Sequence, residues 1–78
     1  MPIPDDIPEY YKGKKYKYEA RKIVEDFELS YNIGTAVSYL LRSKNKHSDG
    51  GLQDIRKAIN HLHFELDVLT DKLKNGSL

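Results

Sequence analysis

The chain contains no cysteine, which removes two common ways of holding a small protein together. Neither a disulfide nor a zinc site with thiolate ligands is available to its 78 residues. A chain of this length forms one domain at most and buries only about 60–65% of the surface that its unfolded form exposes. Stability must therefore come from well-packed helices or from oligomerisation, and we expect a homo-oligomer.

Long apolar runs are missing too. No stretch approaches the roughly 20 apolar residues that cross a bilayer, and no signal-peptide pattern is present. We therefore expect no membrane partner and a cytoplasmic location. The net charge of only +1 argues against strong nucleic-acid binding, because proteins that coat DNA concentrate positive charge over one face.

Proline occurs only at Pro2, Pro4 and Pro8, and it excludes a regular helix there. We expect an extended N-terminal arm over residues 1–17, followed by a helical domain over residues 18–75. The arm either docks on the domain or on a neighbouring chain, or it is a loose terminus.

Apolar periodicity predicts three helices, the first over about 18–27 and the second over about 31–43, with Ser30 as its N-cap. The buried face of the second helix should hold Ile33, Val37, Leu40 and Leu41. Gly34 lies inside this helix at a cost of about 1 kcal/mol relative to alanine, so either a close helix crossing or a ligand needs the missing side chain. The expected fold class is all-α: a small three-helix domain with an extended N-terminal arm and a long C-terminal helix, in an oligomer.

The third helix, predicted from Leu52 to Leu73, carries the clearest pattern. Aliphatic residues recur at alternating spacings of 3 and 4, which is an a/d heptad repeat: Leu52, Ile55, Ile59, Leu62, Leu66, Leu69 and Leu73. Such a row packs either on the other helices of the same chain or on a second subunit. This helix is much longer than the other two, so its C-terminal half would find little to pack on within the same chain. That favours a second subunit.

Cations follow the second helix, and two glycines precede the third. Arg42 and Lys46 could combine with the amide groups of Gly50 and Gly51, and this combination suits a phosphate. The alternative is that these cations meet the dipole at the end of the helix and are otherwise solvated. Tyr39, three residues before Arg42, offers a ring on which a base could stack, or it is a packed boundary tyrosine.

Motifs for catalysis are missing. The chain has neither a Walker A nor a GxGxxG pattern. Thr35 and Ser38 lack convincing histidine and acidic partners, and the three histidines lack the spacing of metal ligands. We predict no catalytic residue, no metal site and no cofactor, and we lean towards a protein that is not an enzyme.

The order of the motifs resembles a small phage-associated domain family of unknown function, often described as nucleotide-kinase-like. Its pattern runs P-x-H-Y-K, a glutamate, G-N-x-x-K-Y-x-x-R with a lysine shortly after, and D-L-x-K-A-x-x-Y-L. The matching elements here are residues 8–12, Glu19, residues 34–42, Lys46 and residues 54–62. The chain departs from the pattern at Tyr10, Thr35, Ser38 and His61, and it has Ile55 in place of the pattern's leucine.

The resemblance implies a helical phage protein concerned with nucleotides. The family's histidine, asparagine and lysine are lost here, whereas a polar set of residues remains, which suits a binder better than a kinase. The residues that we expect to bind the ligand and its phosphate are Tyr11, Lys12, Glu19, Gly34, Thr35, Ser38, Tyr39, Arg42, Lys46, Asp54 and Lys57.

We therefore predict a small phage-type protein that binds a nucleotide, a cyclic-nucleotide-like molecule or another nucleotide-derived signal. By sequestering that signal in the host cytoplasm, it would counter host defence. Two alternatives stay open. One is a nucleotide kinase-like phosphotransferase, which would require magnesium, with Glu19 and Asp54 as candidate ligands. The other is a helical protein–protein interaction module without a small-molecule ligand.

Overall fold

The protein is all-α over residues 11–44 and 49–76, which are the residues that the computed structural model describes. The three helices are α1 (Ala20–Asp26), α2 (Tyr31–Ser43) and α3 (Leu52–Lys74). No β-strand forms over these two ranges, where the only extended pairing is an isolated bridge between Lys12 and Glu19. The predicted fold class, three helices with a long C-terminal one, is confirmed.

The first helix begins two residues later than predicted because the chain before it folds into a turn. The amide of Gly13 donates to the Tyr18 carbonyl at 2.9 Å, and the Lys17 amide donates to the Gly13 carbonyl at 3.0 Å. Glu19 is still extended, with φ −92° and ψ 136°, so the helical conformation starts only at Ala20. This turn leads the chain back so that Tyr11 reaches α2.

The second helix has the predicted limits, and Ser30 is its N-cap. The Ser30 hydroxyl accepts a hydrogen bond from the Ile33 amide at 3.3 Å, as an N-capping serine does. The same hydroxyl donates to a carboxylate oxygen of Glu65 at 3.1 Å. Ser30 therefore also ties the start of α2 to the middle of α3.

The helices α2 and α3 pack as an antiparallel hairpin. Contacts with α2 occur along one side of α3 at spacings of 3 and 4 residues, from Gly51 through Asp54, Ala58 and His61 to Glu65. The junction is tight, because a Cβ added to Gly51 would lie 2.5 Å from the carbonyl oxygen of Ser43. Gly51 also has φ +92°, a conformation that favours glycine.

The helix α1 packs against another side of α2, at Gly34. A Cβ added there would lie 2.6 Å from Cγ1 of Val24, so a close helix crossing uses the missing side chain. The fully buried apolar residues in the described part of the chain are all small, namely Ala20, Ala36 and Ala58. The helices therefore approach one another closely instead of enclosing bulky side chains.

One expectation about α2 is wrong. Leu40 and Leu41 were expected to be buried, and they are 47% and 46% exposed. The side of α2 that faces α3 instead carries polar and aromatic residues, among them Asn32, Tyr39 and Arg42. The leucines are displaced from that side and remain open to solvent.

Replacing Gly51 with alanine should destabilise the protein far more than the same change at Gly50. Both glycines have positive φ, which costs an L-residue roughly 1–2 kcal/mol, but only Gly51 faces a backbone atom. We expect Gly50→Ala to lose about 1 kcal/mol of unfolding free energy and Gly51→Ala to lose at least twice that. Urea denaturation of the matched pair measures the difference, and equal losses would contradict the tight junction.

Candidate functional site

Arg42, in the last turn of α2, forms a buried ion pair with Asp54 in the first turn of α3. Its Nε and Nη2 atoms donate to the two carboxylate oxygens of Asp54 at 3.0 and 2.9 Å. Arg42 is 9% exposed and Asp54 is fully buried. Two parallel hydrogen bonds of this kind fix both the distance and the orientation of the two helices.

Two tyrosines complete the surroundings of Arg42. Its Nη1 atom donates to the Tyr11 hydroxyl at 2.7 Å, and its guanidinium carbon lies 5.4 Å from the Tyr11 ring centre and 4.9 Å from the Tyr39 ring centre. The hydrogen bond to Asp54 raises the pKa of Arg42 against the opposing effect of burial, so the group stays charged. Arg42 thus joins α2, α3 and the segment before α1.

The amide groups at the start of α3 also face a carboxylate of the chain. The Asp49 side chain accepts hydrogen bonds from the Gly51 amide at 2.9 Å and from the Gln53 amide at 3.1 Å. Arg42 and the α3 amides, the two halves of the expected phosphate pocket, are therefore each paired with an acidic residue of the protein. The third element of that pocket, Lys46, lies outside the described residues.

A groove of about 370 Å³ lies between α1 and α2. Five of the residues selected from the sequence line it together: Tyr11, Gly34, Thr35, Ser38 and Tyr39. Sequence reasoning missed six others: Arg21, Val24, Glu25, Leu29, Ser30 and Tyr31. The positions 31, 34, 35 and 38 follow helical periodicity, and this was the available signal for Tyr31.

The groove offers hydroxyl groups and aromatic rings. Ser38 donates its proton to the Gly34 carbonyl at 2.9 Å, so its oxygen remains able to accept. Tyr31, which is 78% exposed, is one of the aromatic residues that line the groove. At the rim, Arg21 and Glu25 form an ion pair at 3.7 Å, with both side chains about two-thirds exposed. Such a pair contributes little to stability.

The other predicted residues that the structure describes lie outside the lining of this groove. Glu19 pairs with Lys22 at 3.2 Å, and the backbone of Lys12 bridges to that of Glu19. The ammonium group of Lys57 lies 5.5 Å from the centre of the Tyr39 ring. Within residues 11–44 and 49–76, no three histidine or acidic side chains are grouped so that they could hold a metal ion.

A second candidate surface is apolar. Its α3 part is the row Leu52, Ile55, Ile59, Leu62, Leu66, Leu69 and Leu73, and its α2 part is Leu40. We call these eight side chains the apolar face. They range from 39% exposed at Leu69 to 66% exposed at Leu73. Despite this apolar row, none of the described helices is long and apolar enough to cross a membrane.

No protein-family model, characterised protein or solved structure matches the chain. The resemblance to the phage-associated family and the ligand-binding role of the eleven selected residues therefore stay predictions.

Breaking the Arg42–Asp54 pair should destabilise the protein strongly. Arg42→Ala and Asp54→Ala should each lose about 3–5 kcal/mol of unfolding free energy, because each leaves a buried charge without its counter-charge. The double variant should lose less than the two single losses added together. Urea denaturation with a double-mutant cycle measures the coupling.

Arg21→Ala is the matched control, since it removes the same side chain from an exposed ion pair and should lose less than about 1 kcal/mol. Tyr11→Phe is a milder test if the alanine variants do not fold, and it should cost about 1.5–3 kcal/mol for one hydrogen bond to a charged group. Similar losses for Arg21→Ala and Arg42→Ala would show that the buried pair has no special role.

Proposed function

We propose that the protein binds a nucleotide-derived small molecule in the groove between α1 and α2. One observation carries this proposal. Tyr11 precedes α1 and Tyr39 lies late in α2, yet both line one groove with Gly34, Thr35 and Ser38, and all five were selected from the sequence pattern. A volume of about 370 Å³ lies at the lower end of the range for small-molecule sites, about 300–1,000 Å³, and suits one nucleoside unit.

The lining supports recognition of a base and a sugar. Bases stack on aromatic rings, and Tyr31 offers the most exposed ring in the groove. Sugar hydroxyls need donors and acceptors at short range, and Thr35 and Ser38 provide them on the same side of α2. The groove thus has the aromatic and hydroxyl groups that a nucleoside requires.

A phosphate on the ligand would meet Arg21 at the rim. Its ion pair with Glu25 is long and exposed, so a phosphate can compete with the glutamate for the guanidinium. In this proposal Arg42 does not bind the phosphate but holds two tyrosines in place. Paired with Asp54, it positions Tyr11 and Tyr39, the two rings on either side of it.

Binding without turnover is the activity that we propose, with sequestration of a host signal by a phage-type protein as its biological purpose. Among the described residues that line the groove there is no histidine, and the one carboxylate, Glu25, is exposed and paired with Arg21. The two candidate magnesium ligands of the kinase-like alternative lie apart from the groove lining. Asp54 forms an ion pair with Arg42, and Glu19 forms one with Lys22. Sequestration requires only affinity, which a hydroxyl- and tyrosine-lined groove can supply.

The proposal is tested first by mass spectrometry of small molecules released from the purified protein, and then by thermal shift with mononucleotides, cyclic dinucleotides and ADP-ribose derivatives. We expect one of these classes to raise the melting temperature, because a ligand at a hundred times its Kd adds about 2.7 kcal/mol of stability. The absence of both a released molecule and a thermal shift would reject the proposal.

Thr35→Val should then weaken binding of that ligand about fivefold, since it removes one hydroxyl worth about 1 kcal/mol and keeps the shape of the side chain. Thr70→Val is the control, because Thr70 is exposed on α3, outside the groove lining. Titration calorimetry compares the two variants. Equal Kd values for both would place the ligand outside the groove, and turnover of a bound nucleotide with magnesium would favour the kinase-like alternative.

A further inference from the structure

The helix α3 carries two parallel rows of residues that are one position apart. The first row, which includes Asp54, Ala58 and His61, packs on α2. The second row is the α3 part of the apolar face. It begins at Leu52, one residue after Gly51, where the first row begins. One residue corresponds to 100° of rotation around a helix. The apolar row therefore points away from α2, to one side of the hairpin.

The same offset occurs on α2. Asn32 and Tyr39 contact His61 of α3, and Ile33 and Leu40 follow each of them by one residue. Because antiparallel helices turn in opposite senses when seen from one end, equal offsets bring both apolar rows to the same side of the hairpin. Gly34, where α1 packs, follows Ile33 by one more residue, so α1 contacts the side of α2 that is turned away from α3. The side with the apolar rows stays uncovered in the single chain, as the 47% exposure of Leu40 shows.

The C-terminal part of α3 extends beyond the hairpin. Every described residue from position 66 onwards is exposed, including Leu66 at 59% and Leu73 at 66%. Helices of about 35 Å and 20 Å, each about 10 Å wide, give the hairpin roughly 550 Å² of face before side-chain relief is counted. That extent approaches the 600–1,000 Å² that each partner contributes to a stable interface, and it reaches the upper range of apolar patches on monomers.

Charge along α3 decides the orientation of a partner. The formal charges of the first half of α3 sum to +1, from Asp54, Arg56 and Lys57. Those of the second half sum to −1, from Glu65, Asp67, Asp71, Lys72 and Lys74. A parallel second copy would place like charges side by side, while an antiparallel copy places the basic half of each helix near the acidic turns of the other. A two-fold pairing of this kind is closed, since the same face is used by both chains.

We infer that the apolar face is covered by a second copy of this chain, packed antiparallel across a two-fold axis into a four-helix bundle. The overhanging turns of each α3 then lie on the first half of the partner's α3. Two alignments of the antiparallel α3 helices pair the largest number of apolar residues with one another. In these alignments Ile55 faces position 66 or position 73 of the second copy. This inference is independent of the proposed ligand, because the groove lies on the side of α2 where α1 packs.

Light scattering after size exclusion tests the dimer. The wild-type protein should have twice the chain mass at tens of micromolar, and Ile59→Lys, which sets a charge in the middle of the face, should reduce it to the chain mass. Asn60→Lys adds the same charge one residue away, outside both rows, and should remain dimeric. Circular dichroism should show helix in each variant.

A wild-type monomer at these concentrations overturns the inference while leaving the ligand proposal untouched. A dimer that persists in Ile59→Lys also overturns it, because the interface would then lie elsewhere. If Ile59→Lys does not fold, the milder Leu66→Ala should weaken dimerisation at least tenfold, and an unchanged dimer in Leu66→Ala would again overturn the inference.

Disulfide trapping tests the orientation, since the natural chain has no cysteine to interfere. Ile55→Cys chains refolded together with Leu66→Cys or Leu73→Cys chains should form mixed disulfides under mild oxidation. The reason is that facing positions of the two apolar faces come close enough for a disulfide bond. Ile55→Cys alone should stay unlinked. Efficient self-linking of Ile55→Cys without mixed disulfides would show a parallel pair and overturn the antiparallel arrangement.

Discussion

The ion pair between Arg42 and Asp54 is the interaction on which the rest of the structure depends. It joins the end of α2 to the start of α3 with two hydrogen bonds, and a third bond from the same guanidinium holds Tyr11. The fully buried apolar residues in the described ranges are alanines, which are too small to fix the arrangement of three helices by themselves. A directional polar contact supplies the geometry that bulky side chains supply in larger domains.

That contact also connects the two surfaces for which we propose roles. On one side of the hairpin, Tyr11 and Tyr39 flank Arg42 and line the groove. On another side, the closely packed hairpin exposes Leu40 together with the aliphatic row of α3. A protein that binds its ligand on one side and its own copy on the other keeps every groove open after assembly.

The sequence predicted the local features of the fold well and the long-range ones poorly. Ser30 marks the start of α2 because a serine hydroxyl can accept an amide hydrogen bond within its own turn. The start of α1 was missed because the preceding turn depends on backbone bonds between Gly13, Lys17 and Tyr18, which no side-chain pattern reports. The heptad spacing of α3 was recognised, but spacing alone does not tell which of two adjacent rows meets α2.

The candidate site shows the same division. Gly34, Thr35 and Ser38 share one side of a helix, so their proximity follows from local periodicity. Arg42 and Asp54 were both selected as ligand residues, but the sequence prediction gave each of them to the ligand and did not pair them with each other. An arginine closing one helix and an aspartate opening the next is a signal for such a pair in other short helical chains.

The alanine core has a consequence for how this protein tolerates mutation. In most domains, truncating a large buried side chain leaves a void and is the commonest way to lose the fold. Here Ala20, Ala36 and Ala58 have almost nothing to truncate, whereas any enlargement forces helices apart. The fully buried apolar positions are therefore sensitive to gain of volume rather than to loss of atoms, whereas the buried Arg42–Asp54 pair is sensitive to truncation.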